Sequence, residues 1–152
     1  MAKELKAPEL MNYAMFCGGC GHGVLLRLIC ECLEEYGLDK KTIAAIGVGC
    51  SCHLKSGINV DLVQSPHGRA AAVATGIRRA EPDKFVFSYQ GDGDAYNIGL
   101  AETLNAAYRN ENICVFIINN GNFGMTGGQM AWTTMPGQKT ATSPKGRDCA
   151  TT

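Results

Sequence analysis

Apolar residues recur along this chain in two alternating rhythms. Over residues 24–36, Leu25, Leu28, Ile29, Cys32, Leu33 and Tyr36 fall at helical spacing, and Gly37 is placed to end the helix. Short apolar runs at 42–46, 85–90 and 113–118 have strand length, and a glycine- or asparagine-bearing loop follows each one. Residues 68–80 form a second helix despite Gly76, stopped by Glu81-Pro82-Asp83, and residues 98–109 a third. Between 54 and 66 the pattern selects no element, although 59–64 is compatible with an edge strand. Residues 1–13 read as an extended arm; beyond Asn120 the chain is expected to loosen over 121–137 and end in a polar tail, 138–152. Strands alternating with helices predict a single α/β domain over 1–152, an open parallel sheet with helices on both faces. Ligands of such sheets bind beyond the carboxyl ends of the strands, where the loops at Cys50, Asp92 and Asn120 all fall.

Two of those loops carry a chemical signal. Gly91-Asp92-Gly93-Asp94 follows the 85–90 strand, and Asn119-Asn120 ends the next one, with a helix between them. In a parallel βαβ unit both strand ends share one sheet edge, so the Asp92 carboxylate and the Asn120 amide are expected side by side. A carboxylate, an amide oxygen and loop carbonyls are the hard oxygen donors Mg²⁺ takes when it holds a diphosphate. Gly-Asp-Gly alone is a weak sign, because turns favour those residues and asparagines tolerate left-handed backbone. Strand context at both ends favours the site.

Composition narrows the classes. The net charge is zero and the basic residues are scattered, so there is no electrostatic footprint for nucleic acid. No apolar run reaches the roughly 20 residues of a membrane span, and the charged start of the chain lacks an apolar signal core; a cytoplasmic protein is expected. Eight cysteines without an export signal argue against a disulfide framework. Cys30, Cys32 and Cys114 sit within apolar patterns and read as small buried hydrophobes. Cys17, Cys20, Cys50 and Cys52 sit among glycines, where they suit Zn²⁺, a redox disulfide or an iron–sulfur cluster equally well.

Five segments then occur in order: Cys17-Gly18-Gly19-Cys20-Gly21-His22-Gly23, Gly49-Cys50-Ser51, His67-Gly68-Arg69, Gly91-Asp92-Gly93-Asp94 and Gly124-Met125-Thr126-Gly127-Gly128-Gln129. Together they resemble the β subunit of 2-oxoacid:ferredoxin oxidoreductases, most closely the 2-oxoisovalerate and 2-oxoglutarate type. The resemblance implies a thiamine diphosphate-binding, diphosphate-domain fold. It implies Mg²⁺ held by the side chains of Asp92 and Asn120 and the carbonyl of Asn122, with Asn119 supporting the loop. Gly91, Gly93, Asp94 and Thr126 would line the diphosphate, Gly49 and Cys50 would face the cofactor, and His67 would contact cofactor or substrate. It further implies a [4Fe–4S] cluster on Cys17, Cys20 and Cys50. Family members take their fourth ligand from a later part of the chain; Cys149 does not match that position and Cys52 is expected to point away. The C-terminal part of the family domain is therefore expected to be missing.

The implied reaction is oxidative decarboxylation of a 2-oxoacid to an acyl-coenzyme A, with electrons passed through the cluster to ferredoxin. The glutamate that activates thiamine belongs, in the family, to a separate pyrimidine-binding domain, so an α-type partner subunit and a hetero-oligomer are expected. The small, flat helix 68–80 offers a face for that partner. Two rivals stand beside this reading. A non-oxidative thiamine-dependent 2-oxoacid decarboxylase subunit would keep Asp92 and Asn120 but need no cluster. A zinc-stabilised binding module would treat the glycine loops as turns only.

Overall fold

The computed structural model describes residues 6–148 and 150. The chain runs through helix α1 (Gly21–Glu35), strand β1 (Thr42–Ile46), a 3₁₀ turn (Cys50–His53) continuing into the short helix α2 (Leu54–Gly57), strand β2 (Asp61–Gln64) and helix α3 (Ala70–Ala80). Strand β3 (Phe85–Gly91), a π-helical turn (Gly93–Ile98), helix α4 (Leu100–Tyr108), strand β4 (Cys114–Ile118) and two short strands, β5 (Asn122–Phe123) and β6 (Gln129–Met130), follow. Strands β1 to β4 form one parallel sheet in the order β2-β1-β3-β4. The expected open parallel α/β sheet is what the chain forms, and no helix among the described residues is long and apolar enough to cross a membrane.

Helices cover both faces. On one side Leu26, Ile29, Cys30 and Leu33 of α1 pack on Ala44, Ile46, Phe87 and Tyr89 of the two central strands. On the other, Ala74 of α3 seats against Ala45 and Val86. The alanines of α3 let its backbone approach the sheet closely: Ala70, Ala71 and Ala74 have no exposed surface. The alanines of its inner side are spent on the sheet, while Ala72, Gly76 and Ala80 stay exposed on the outer side. Helix α1 ends as expected at Gly37. The Leu38 amide donates to the Leu33 carbonyl at 2.8 Å and the Gly37 amide to Glu34 at 3.1 Å, the paired bonds of a Schellman motif.

The helix starts earlier than expected, at Gly21, because Cys20 already takes the extended backbone of a cap. Its buried stripe is also rotated. Leu26 and Cys30 face the core, whereas Leu28 and Tyr36 are largely exposed and Cys32 is exposed rather than buried. Cys114 is only partly buried, because β4 lies at the sheet edge. The tail is not loose either. The Arg147 guanidinium donates to the carbonyls of Trp132 and Thr134, and the Arg147 and Gly137 backbones exchange bonds at 2.9 Å with Gln138 and Arg147 respectively. These are backbone-directed bonds, invisible to a hydrophobic pattern.

Candidate functional site

The strand order places a topological switch point between β1 and β3, whose neighbours lie on opposite sides. Open α/β sheets leave a crevice there. Register fixes its floor: Ile46 lies beside Tyr89 and Gly91 beside Ile118, so the loops after β1, β3 and β4 emerge on one edge. A cleft of about 50 Å³ opens among them. Gly49, Cys50, His67, Gly91, Asp92, Gly93, Asp94, Asn120, Asn122 and Thr126 all line it, so every residue expected at the cofactor is gathered in one place.

Asp92 is 1 % exposed. One carboxylate oxygen accepts the Asn120 amide at 3.4 Å, and the other accepts the hydroxyl of Thr133. Among the described residues no lysine, arginine or histidine pairs with it. A buried carboxylate with two neutral donors and no cation is costly, and a metal ion would supply the missing charge. Asn120 and Asn122 stand at the same edge. The Asn120 amide oxygen accepts the Asn122 backbone N–H at 3.2 Å, and the Asn119 oxygen accepts Gly121 N–H at 3.1 Å. Asn119 thus ties its own loop, as expected. Asn122 opens the β5–β6 ribbon, whose Phe123 ring lies on Gly93: a Cβ there would sit 2.6 Å from the ring. Only glycine lets the ribbon fold down so far.

Asp94 lines the cleft too, but its carboxylate is already saturated. Oδ1 accepts the Gly68 amide at 2.7 Å and bonds His67 Nδ1, and Oδ2 accepts the Gln90 amide at 2.9 Å. This inward use suits an anion-binding cleft, because a free carboxylate beside a diphosphate would repel it. It also fixes the ring of His67, whose side chain stays about one-third exposed (35%) on the cleft wall. The π-helical turn makes this possible: the Gly99 amide donates back to the Asp94 carbonyl at 2.9 Å, a five-residue closure of the kind frequent at functional sites.

Of the three cysteines expected in the core, only Cys30 is fully buried; Cys17, Cys20, Cys50 and Cys52 lie in or beside the loops. Cys50 lines the cleft, and burial first, then the thiols of Cys20, Cys17 and Cys52, push its pKa up. Cys50 thus lies within electrostatic reach of Cys20, Cys17 and Cys52, while Cys149 lies outside the described residues. No group of three or more His, Cys, Asp or Glu among the described residues converges tightly enough to hold a single metal ion.

A family model described as "Thiamine pyrophosphate enzyme, C-terminal TPP binding domain" matches residues 47–151. The chain belongs to that thiamine diphosphate-binding family. Similar proteins of this kind include ketoisovalerate oxidoreductase subunit VorA of Methanothermobacter thermautotrophicus, 50% identical over 145 residues, which cover 95% of this chain and 30% of VorA. The 2-oxoglutarate synthase subunit KorB of Methanocaldococcus jannaschii is 40% identical over 133 residues, 87% of this chain and 49% of KorB. A solved structure, the 2-oxoglutarate:ferredoxin oxidoreductase from Magnetococcus marinus with 2-oxoglutarate, coenzyme A and succinyl-CoA bound, superposes with a TM-score of 0.87 at 33% identity. It is covered over 50% of its chain, against 95% of this one. The chain thus spans half or less of the length of these relatives.

For a thiamine diphosphate-binding domain the donor set fits: hard oxygens from Asp92, Asn120 and Asn122 around a desolvated carboxylate, and glycine backbone at the strand ends. The cleft is far smaller than the ~300–1,000 Å³ that usually encloses a cofactor, so these residues form one wall of a site. Two residues at the cleft carry no role in the sequence reading. Thr133 carries no motif and lies far along the chain from Asp92; His22 sat within a quoted glycine loop without being assigned a role.

Proposed function

We propose that this chain is the diphosphate-binding part of the β subunit of a 2-oxoacid:ferredoxin oxidoreductase. The observation that carries the reading is Asp92, buried with no cationic partner among the described residues, in a cleft that Cys50 also lines. Asp92, Asn120 and the Asn122 carbonyl would hold Mg²⁺, whose charge would help bind the diphosphate. Gly91, Gly93 and Thr126 line the diphosphate, and Gly49 and Cys50 face the cofactor. Thr133 orients the Asp92 carboxylate, and His67 is held by Asp94 at the cleft wall as a contact for cofactor or substrate. When bound, thiamine diphosphate supplies the carbanion stabilisation that lets a 2-oxoacid lose CO₂.

Cys17, Cys20 and Cys50 hold three corners of a [4Fe–4S] cluster. In such a cluster each thiolate would bind a different iron; Cys50 lies within electrostatic reach of Cys17 and Cys20. Cys50 on the cofactor cleft would place a cluster ligand beside the cofactor, which an oxidative reaction needs and a non-oxidative decarboxylase does not. The name of the Magnetococcus enzyme and the ligands bound to it support coenzyme A as acyl acceptor and ferredoxin as electron acceptor. An α-type subunit completes the cofactor site from the open side of the cleft.

Co-expression with a candidate α-type subunit, followed by coenzyme A-dependent ferredoxin reduction across a panel of branched, dicarboxylic and small 2-oxoacids, tests the reading. Activity should require both subunits. Decarboxylation without ferredoxin reduction would favour the non-oxidative rival, and full activity of this chain alone would remove the partner.

A further inference from the structure

A cleft that takes a diphosphate needs positive charge, and this one is poor in it. No lysine or arginine lines the cleft, and its only basic side chains are His22 and His67. His22 is 2 % exposed, stacks on Phe16 and has its Nδ1 2.8 Å from the Tyr89 hydroxyl. Burial first, then nearby His53, holds its imidazole below the ordinary histidine pKa. His67 is partly exposed on the cleft wall and is the basic side chain left within reach of a ligand.

The backbone fixes where the His67 ring stands. Residues 66–69 turn tightly: the Arg69 amide donates to the Pro66 carbonyl at 3.0 Å, and Gly68 takes a φ of 78°. His67 therefore sits at the corner between β2 and α3. The turn is pressed against the π-helical segment, since a Cβ on Gly68 would stand 2.8 Å from the Gly99 nitrogen. Asp94 then holds the corner twice. Its Oδ1 accepts the Gly68 amide at 2.7 Å and bonds His67 Nδ1, while its Oδ2 accepts the Gln90 side-chain amide at 2.9 Å. Two other N–H donors thus converge on this carboxylate, and an ionised carboxylate only accepts, so Nδ1 carries the hydrogen of the His67 bond. The second ring nitrogen, Nε2, has no hydrogen-bond partner among the described residues and is the one left for a ligand.

We propose that His67 is a direct ligand of the diphosphate, donating from Nε2 to a phosphate oxygen while Asp94 holds Nδ1. This role rests on the Mg-diphosphate reading above and narrows His67 from a contact for cofactor or substrate to the phosphate end of the cofactor. Asp92 caps the π-helical turn that carries Asp94, so a ring fastened to Asp94 stands at the metal end of the cleft. With a carboxylate on one side and a phosphate on the other, the imidazolium form is favoured, and it donates at both nitrogens. The burial of Asp94, 2 % exposed, then serves the site: its charge stays off the diphosphate and goes into the ring that binds it.

Titration calorimetry of this chain with pyrophosphate and Mg²⁺, a probe that carries the phosphate chemistry alone, tests the proposal through two substitutions. Asparagine puts its amide nitrogen where Nδ1 stands and can keep the bond to Asp94; glutamine puts its own where Nε2 stands. His67→Asn should weaken pyrophosphate binding by about 10- to 100-fold, the worth of a charge-assisted hydrogen bond. His67→Gln should bind more tightly than His67→Asn. A residue that only props the turn would give the reverse order. Wild-type affinity in His67→Asn would overturn the proposal, as would a glutamine variant that binds no better than the asparagine one. Wild-type chain that binds no pyrophosphate with Mg²⁺ would instead remove the diphosphate reading itself, and this role with it.

Discussion

Asp92 shows how one side chain's surroundings assign its role. Its partners are the Asn120 backbone amide and the Thr133 hydroxyl, both neutral, and its burial leaves the charge uncompensated. Asp92→Ala should abolish the rise in thermal midpoint that Mg²⁺ with thiamine diphosphate gives the wild type. In titration calorimetry the loss should exceed about 100-fold in affinity, beyond the roughly 10–100-fold typical of an outer-shell partner. An equal shift in both proteins would remove Asp92 as a ligand. Thr133 gives the complementary case. Thr133→Val keeps the shape and deletes the hydroxyl, so it should weaken Mg²⁺-dependent cofactor binding by about 10–100-fold, and Thr133→Ser should restore most of it. If valine and serine bind alike, the hydroxyl has no positioning role. Nothing in the sequence marks Thr133, because the contact spans 41 positions and is made by a loop whose course depends on Arg147 holding its carbonyls.

At the scale of elements, helices and strands meet the sheet edge through backbone contact as well as side chains. Gly99, between the π-helical turn and α4, packs directly on Gly68 at the start of α3; a Cβ at Gly99 would lie 2.1 Å from the Gly68 carbonyl oxygen. Backbone cannot swing aside as a side chain can. Gly99→Ala should destabilise the fold by at least about 2 kcal/mol in urea unfolding. Gly76 is the contrasting case, inside α3 with nothing within 4 Å of its missing Cβ. Gly76→Ala should stabilise by about 0.5–1 kcal/mol. Opposite signs at two glycines would confirm that the α3–α4 junction, not helix propensity, holds the π turn and Asp94 in place. The same contrast explains what could be read from sequence. Strand β1 and helix α3 were legible because their periodicity is written in their own residues. The Cys50–His53 turn, the π-helical turn and the β5–β6 ribbon were not, because each depends on backbone contacts with distant chain. The cleft residues were legible for a different reason: loops that follow parallel strands must share an edge, so Asp92 and Asn120 could be brought together without knowing the helix between them.

At the scale of the whole molecule, the proposed Mg-diphosphate cleft has only about 50 Å³ of enclosed space and is lined by Cys50, whereas Cys17 and Cys20 line a separate groove by the start of α1. The two proposed sites are not equally self-sufficient. On the proposed reading, Mg²⁺ would take its remaining ligands from the diphosphate and water, so Asp92, Asn120 and Asn122 would suffice to anchor it. A four-iron cluster needs a thiolate or equivalent donor at every iron, and an iron left to solvent exchanges and oxidises. The 152-residue chain should therefore bind thiamine diphosphate with Mg²⁺ measurably, yet hold iron poorly. Anaerobic reconstitution followed by gel filtration should leave well under four irons per chain, or a broad absorption near 400 nm that decays on exposure to air (roughly, as the ligand chemistry implies). Cys52→Ser should not change that outcome. A stable four-iron centre lost specifically in Cys52→Ser would instead make Cys52 the fourth ligand, and the turn from Cys50 to His53 would then carry two corners of the cluster rather than one.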